Sequence, residues 1–238
     1  MDLGLSPAYA VVTGGSKGMG RAVAERLARE GASVAVLARG QRALEDTVQA
    51  LHAAGSTDSF GLSVDFTDPA AINAGFSAIA ERWDHVNVLV HTIGPAGGTF
   101  ENLDDEAWDR TLDLGTMSTV RAIRAALPLL RAAEWGRIAT FAASSIRRPN
   151  DRTIAYTAAK AASASITKTL AKSLAADGLD ATDPVDVMTW IGDHFGERAA
   201  LGRAGLPDEV ASLTAYLVSR TNGYVTGACV NVDGGSDF

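Results

Sequence analysis

Thr13-Gly14-Gly15-Ser16-Lys17-Gly18-Met19-Gly20 is the stretch that most narrows the folds open to this chain, because of what stands on each side of it. The apolar run Ala8-Tyr9-Ala10-Val11-Val12 precedes it and a helical pattern follows, so the segment reads as strand, tight turn, helix. Glycine at 14, 18 and 20 lets the backbone turn sharply and come close to a ligand. The helix start behind the turn offers unpaired N–H groups and the positive end of a dipole, both of which favour a phosphate. A second apolar run, Ser33-Val34-Ala35-Val36-Leu37, completes the context in which such a loop holds a dinucleotide pyrophosphate. Gly14, Ser16, Lys17, Gly18, Met19 and Gly20 are the candidate phosphate contacts.

The rest of the chain repeats this alternation. Val86-Asn87-Val88-Leu89-Val90 and Arg137-Ile138-Ala139-Thr140-Phe141 are short, nearly continuous apolar runs, as expected of parallel strands covered on both faces. Helical patterns lie at about 17–30, 40–54, 69–82, 104–131, 155–176 and 207–219. The expectation is an α/β fold: a single-domain Rossmann-type doubly wound parallel sheet flanked by helices on both faces, covering residues 1–238. At 238 residues and 47% hydrophobic content the chain can bury one full core. In such sheets ligands bind beyond the carboxyl ends of the strands, and the glycine loop, Arg39, Asp65, Gly94 and Ser144 all follow strand patterns.

Arg39 stands about twenty residues beyond the glycines, where an NAD-binding chain carries an acid for the ribose hydroxyls. Arg39 and Lys17 are instead two cations that can converge on a 2′-phosphate, so NADP(H) is favoured over NAD(H). Further along, Tyr156-Thr157-Ala158-Ala159-Lys160 sets a phenol and an ammonium on one helix face. A free tyrosine titrates near ~10. A neighbouring cation stabilises its phenolate and makes it a usable acid or base at neutral pH.

Taken together these residues resemble the short-chain dehydrogenase/reductase family over nearly the whole chain. Thr13 to Gly20 is similar to the family's Thr-Gly-x-x-x-Gly-x-Gly, and Tyr156 with Lys160 matches its catalytic pair. Asp65 resembles its adenine-contacting acid, while Gly227 and Val232-Asp233-Gly234-Gly235 resemble its C-terminal signature. The resemblance implies an NADP(H)-dependent enzyme that interconverts a ketone or aldehyde and an alcohol, 3-oxoacyl reductase-like or another carbonyl reductase. In that reading Tyr156 exchanges a proton with the substrate oxygen, and Lys160 lowers the tyrosine pKa and holds the nicotinamide ribose. The helices at 104–131 and 155–176 resemble faces through which family members pair, implying a homodimer or homotetramer.

Several positions depart from that pattern. The family serine that helps hold the substrate carbonyl aligns with Ala143, and a one-residue loop deletion is needed to bring Ser144 into its place; Ser145 is the other choice. Gly115 stands where the family has an asparagine of a proton relay, leaving only a backbone carbonyl to hold a water. His91-Thr92-Ile93-Gly94 replaces the usual Asn-Asn-Ala-Gly, and His91 reads as structural. After Gly178 the family's next strand, Pro-Gly turn and mobile substrate loop are absent, a gap of roughly two dozen residues. The expectation is a strand and substrate loop missing between 178 and 179, with Leu179 to Pro184 on the far side of the loop. These departures motivate a competing class, a catalytically impaired NADP(H)-binding regulatory or interaction protein.

Composition bounds the partners. A net charge of −7 with no long Lys/Arg run argues against a general nucleic-acid or anionic-membrane binder. Arg147, Arg148 and Arg152 read as a solvated loop, with attraction of an acidic substrate or acyl-carrier partner as the alternative. The single cysteine, Cys229, has no internal disulfide partner, and neither a leader nor a membrane-length apolar segment is visible, so a cytoplasmic location is expected. Histidines at 52, 85, 91 and 194 lack metal-ligand spacing, so no catalytic metal is expected.

Overall fold

The computed structural model describes residues 2–177, 179–184, 200–201 and 203–234. Among them seven parallel strands form one sheet: β1 (Tyr9–Thr13), β2 (Ser33–Ala38), β3 (Phe60–Ser63), β4 (Val88–His91), β5 (Gly136–Thr140), β6 (Leu179–Pro184) and β7 (Cys229–Val230). Their order is β3-β2-β1-β4-β5-β6-β7. The helices are α1 (Gly18–Arg29), α2 (Gln41–Ala53), α3 (Pro69–Arg82), α4 (Asp105–Leu112), α5 (Ser118–Ala132), α6 (Ile154–Leu174) and α7 (Pro207–Leu217). The chain runs outward from β1 through β2 to β3, then returns to lay β4 on the other side of β1. That reversal leaves a crevice beyond the carboxyl ends of β1 and β4.

Period-two alternation sends each strand's side chains to both faces, and both faces are apolar. Ala10, Val12, Val34, Val36, Val88 and Val90 pack under α1, α2 and α7. Val11, Ala35, Leu37, Leu89 and Ile138 pack under α3, α5 and α6. Among the described residues no helix is long and apolar enough to cross a membrane.

Two expectations are corrected here. The sheet is not short of a strand: residues 179–184, expected beyond a missing segment, are β6, paired with β5 on one side and β7 on the other. Leu179 and Ala181 are buried, so the two-residue period supplies an apolar face despite the segment's polar sequence. Leu179 is opposite Gly136 of β5, and a side chain at 136 would collide with Leu179 Cδ2, so glycine makes the room the leucine fills. Residues 185–199, which follow this strand, lie outside the described residues.

The second correction concerns the helix expected over 104–131. Asp104 caps α4 by accepting from the Ala107 N–H at 2.8 Å. The chain then passes through a π-helical turn, Asp113–Met117, before α5 begins. Gly115 lies buried in that turn, where a Cβ would sit 2.6 Å from Ala159 Cβ and 3.1 Å from Pro95 Cδ. The glycine allows the turn to press against α6.

Candidate active site

The glycine loop leaves β1 at the switch point, and each glycine there answers a different constraint. Gly14 takes φ +74°, with its N–H donating to Leu37 O at 2.7 Å. Gly20 lies so close to the strands that a Cβ would come within 2.5 Å of Gly14 O and of Thr92 Oγ1. Gly18, at φ +54°, has nothing within 4 Å of where its Cβ would be, so its face is open. Lys17 precedes α1 without a side-chain cap, so its side chain satisfies none of the first-turn N–H groups. Ser16 is buried and its carbonyl accepts from Thr47 Oγ1 at 3.4 Å; Met19 packs against the core. An uncapped helix start beside an open glycine is a cradle of the kind a pyrophosphate fills.

Arg39 and Lys17 are both exposed at this edge. Asp65 follows β3, and its Oδ1 accepts from the Thr67 N–H at 2.9 Å and the Thr67 hydroxyl at 2.8 Å. Those two hydrogen bonds, then the positive charge of Arg39, hold the carboxyl below the usual aspartate range. Asp65 is thus fixed as an anion within the field of Arg39.

Tyr156 and Lys160 share one face of α6. Lys160 is only 3% exposed, and its Nζ donates to Ile93 O at 2.9 Å and Phe141 O at 2.6 Å. These carbonyls belong to the residues that continue β4 and β5, so a buried ammonium is held by two strand ends. Gly94 closes the group: a Cβ there would lie 3.2 Å from Lys160 Cε and 3.5 Å from Tyr156 Cε2. Gly94 is thus placed beside both Lys160 and Tyr156. The carbonyls of Ile93 and Phe141 carry no sequence signal, and Thr92, which donates to Thr13 O at 2.8 Å behind the glycine loop, was also missed.

A 3₁₀ turn, Ser144–Ile146, follows β5. Ala143 is buried, and so is Ser145, whose hydroxyl accepts from Thr157 Oγ1 at 2.7 Å. Ser144 is half-buried at the head of the turn. The geometry separates the two serines: one is tied to α6, the other stands at the turn's exposed edge. Arg147 and Arg152 are exposed and Arg148 half-buried on the same loop.

His91 is 1% exposed, with Nδ1 2.7 Å from Thr13 Oγ1 and Nε2 3.2 Å from Ser118 Oγ. Burial, then the Lys160 charge, pushes its pKa down to about 3, so the ring is neutral and cross-links β1 to α5. At Gly115 the carbonyl expected to hold a relay water is taken: it accepts from Ser163 Oγ at 3.0 Å and Thr119 Oγ1 at 3.2 Å. Ser163 Oγ also lies 3.1 Å from Ala159 O, so its one proton is divided between two carbonyls, and a water at Gly115 would compete with these hydroxyls.

A family model described as enoyl-(acyl carrier protein) reductase matches residues 14–237. The short-chain reductase protein NovJ of Streptomyces niveus is 33% identical, over 95% of this chain and 92% of the relative. The 3-oxoacyl-[acyl-carrier-protein] reductase FabG of Escherichia coli is 31% identical, over 95% and 96%. Among solved structures, L-sorbose reductase from Gluconobacter frateurii, complexed with NADPH and L-sorbose, aligns with TM-score 0.91 at 27% identity, covering 99% of this chain and 98% of that one. A family model over residues 14–237, relatives above 30% identity along 95% of the chain and a structural match over 99% of it place the chain in the short-chain dehydrogenase/reductase family.

Proposed function

We propose that this protein reduces a ketone or aldehyde to an alcohol, or runs the reverse oxidation, with NADP(H), and that Tyr156 is its acid/base. The observation that carries the reading is the buried Lys160 ammonium, fixed by two carbonyls beside Tyr156 and Gly94. A cation held there favours the phenolate over the phenol. Gly14, Ser16, Lys17, Gly18, Met19 and Gly20 would hold the pyrophosphate, Asp65 the adenine end and Arg39 with Lys17 the 2′-phosphate. When bound, the reduced nicotinamide supplies the hydride. As the carbonyl carbon accepts it, the C=O electron pair moves to oxygen, and Tyr156 gives that oxygen its phenolic proton. In the alcohol direction the phenolate takes the proton back. Ser144 donates to the same oxygen and orients it.

FabG-like and short-chain reductase relatives support a 3-oxoacyl or similar carbonyl substrate. The neighbour with NADPH supports the phosphorylated cofactor. We further propose a homodimer or homotetramer in the cytoplasm. The test is carbonyl-dependent consumption of NADPH, followed at 340 nm across 3-oxo esters, ketones and aldehydes. Tyr156→Phe should lower kcat by about 10²–10⁴-fold while still binding NADPH. Full activity in that variant would sink the mechanism. NADPH binding by the wild type with no consumption on any carbonyl would favour the impaired-binder reading.

A further inference from the structure

We propose that Thr157 is a positioning residue that ties the carbonyl-facing turn to the helix carrying the proton donor. The inference rests on the reading in which Ser144 and Tyr156 address one substrate oxygen. The turn's backbone bonds are local: Ile146 N–H donates to Ala143 O at 3.1 Å, and the N–H groups of Arg147 and Arg148 donate to Ser144 O at 3.0 Å each. None of these reaches α6. Thr157 Oγ1 does, donating to Ser145 Oγ at 2.7 Å, and Ser145 is 5% exposed, so water competes poorly for that bond.

The placement is what gives this bond its leverage. Thr157 is the residue after Tyr156, and Ser145 is the residue after Ser144, so one hydroxyl pair fixes the spacing between the two groups that meet the substrate. The donor is itself anchored. Thr157 N–H donates to Thr153 O at 2.7 Å, and Thr153 Oγ1 lies 3.3 Å from both Thr157 Oγ1 and Asn150 O. Thr153 also forms an isolated parallel bridge with Gly98, so the loops after β4 and β5 meet the first turn of α6 here. An ångström of misplacement at reacting atoms costs on the order of 10²-fold in rate. A lost tie of this kind therefore acts on kcat before it acts on cofactor binding.

Thr157→Val keeps the shape and removes the hydroxyl; Thr157→Ser keeps the hydroxyl. On a carbonyl that the wild type reduces, the valine variant should lose about tenfold in kcat, with NADPH affinity held and the melting temperature lowered by only a few degrees, and serine should restore kcat. Ser145→Ala should match the valine variant, and the double variant should be no slower than either, because both remove one bond. Amide exchange at 146–148 reads the same tie without any substrate, and should rise about tenfold with valine but not with serine. Unchanged exchange in Thr157→Val overturns the proposal, as does a uniform loss of affinity, melting temperature and kcat that serine fails to rescue. If Tyr156→Phe is inactive while Thr157→Val is fully active, only the Thr157 assignment falls. If Tyr156→Phe stays active, the catalytic reading falls instead.

Discussion

His91 illustrates how a single side chain can change character when a strand end is buried. Its ring holds Thr13 and Ser118 while burial and the Lys160 charge keep it neutral down to about pH 3. The unfolded ring takes a proton near its ordinary 6.5, so between 6.5 and 3 the unfolded chain binds protons that the native chain does not. Stability from this group is therefore complete above 6.5 and falls as the pH drops through that window. At pH 5 the loss is about 2 kcal/mol, to be read as the difference in urea unfolding free energy between pH 7.5 and 5. His91→Asn should be less stable at neutral pH but should lose that part of the pH dependence; an unchanged slope would contradict the assignment. Residues of this kind differ in how visible they are beforehand. Tyr156 and Lys160 were legible because their chemistry sits in their side chains at helical spacing. The Ile93 and Phe141 carbonyls that hold Lys160 were not, since every residue has a carbonyl and only the fold selects which two converge.

At the scale of elements, the π-turn between α4 and α5 carries the clearest consequence. Gly115→Ala puts a Cβ 2.6 Å from Ala159 Cβ, inside contact distance, and should cost about 1–3 kcal/mol in thermal or denaturant unfolding. Adding Ala159→Gly should recover part of that, since the 3.1 Å approach to Pro95 remains; an unaffected single variant would show that the turn can open. An asparagine at 115 would meet the same neighbours in this chain. The helices were legible from their apolar periodicity. The π-turn was not, because one extra residue per turn leaves the surrounding pattern intact. The sixth strand was missed for a different reason. Leu179-Asp180-Ala181-Thr182-Asp183-Pro184 reads as polar, and it is pairing with β5 and β7 in the folded sheet, with Gly136 making room for Leu179, that makes it a strand.

For the molecule as a whole, the cradle at the switch point couples ligand to fold. NADPH at about 100 times its Kd should stabilise the native state by about 2.7 kcal/mol, seen as a rise in melting temperature. NADH at equal concentration should give less, and Arg39→Asp should narrow or reverse the difference. Equal shifts in the wild type would remove the 2′-phosphate role from Arg39 and Lys17. Lys160 adds a mechanical consequence to its chemical one. Its ammonium grips the ends of two strands from a third element, so it works as a cross-brace that stops α6 sliding over the sheet. Replacing it removes a strut together with a charge, and slow turnover in a Lys160 variant will not by itself say which was missed. Tyr156→Phe leaves the brace standing, and so isolates the proton.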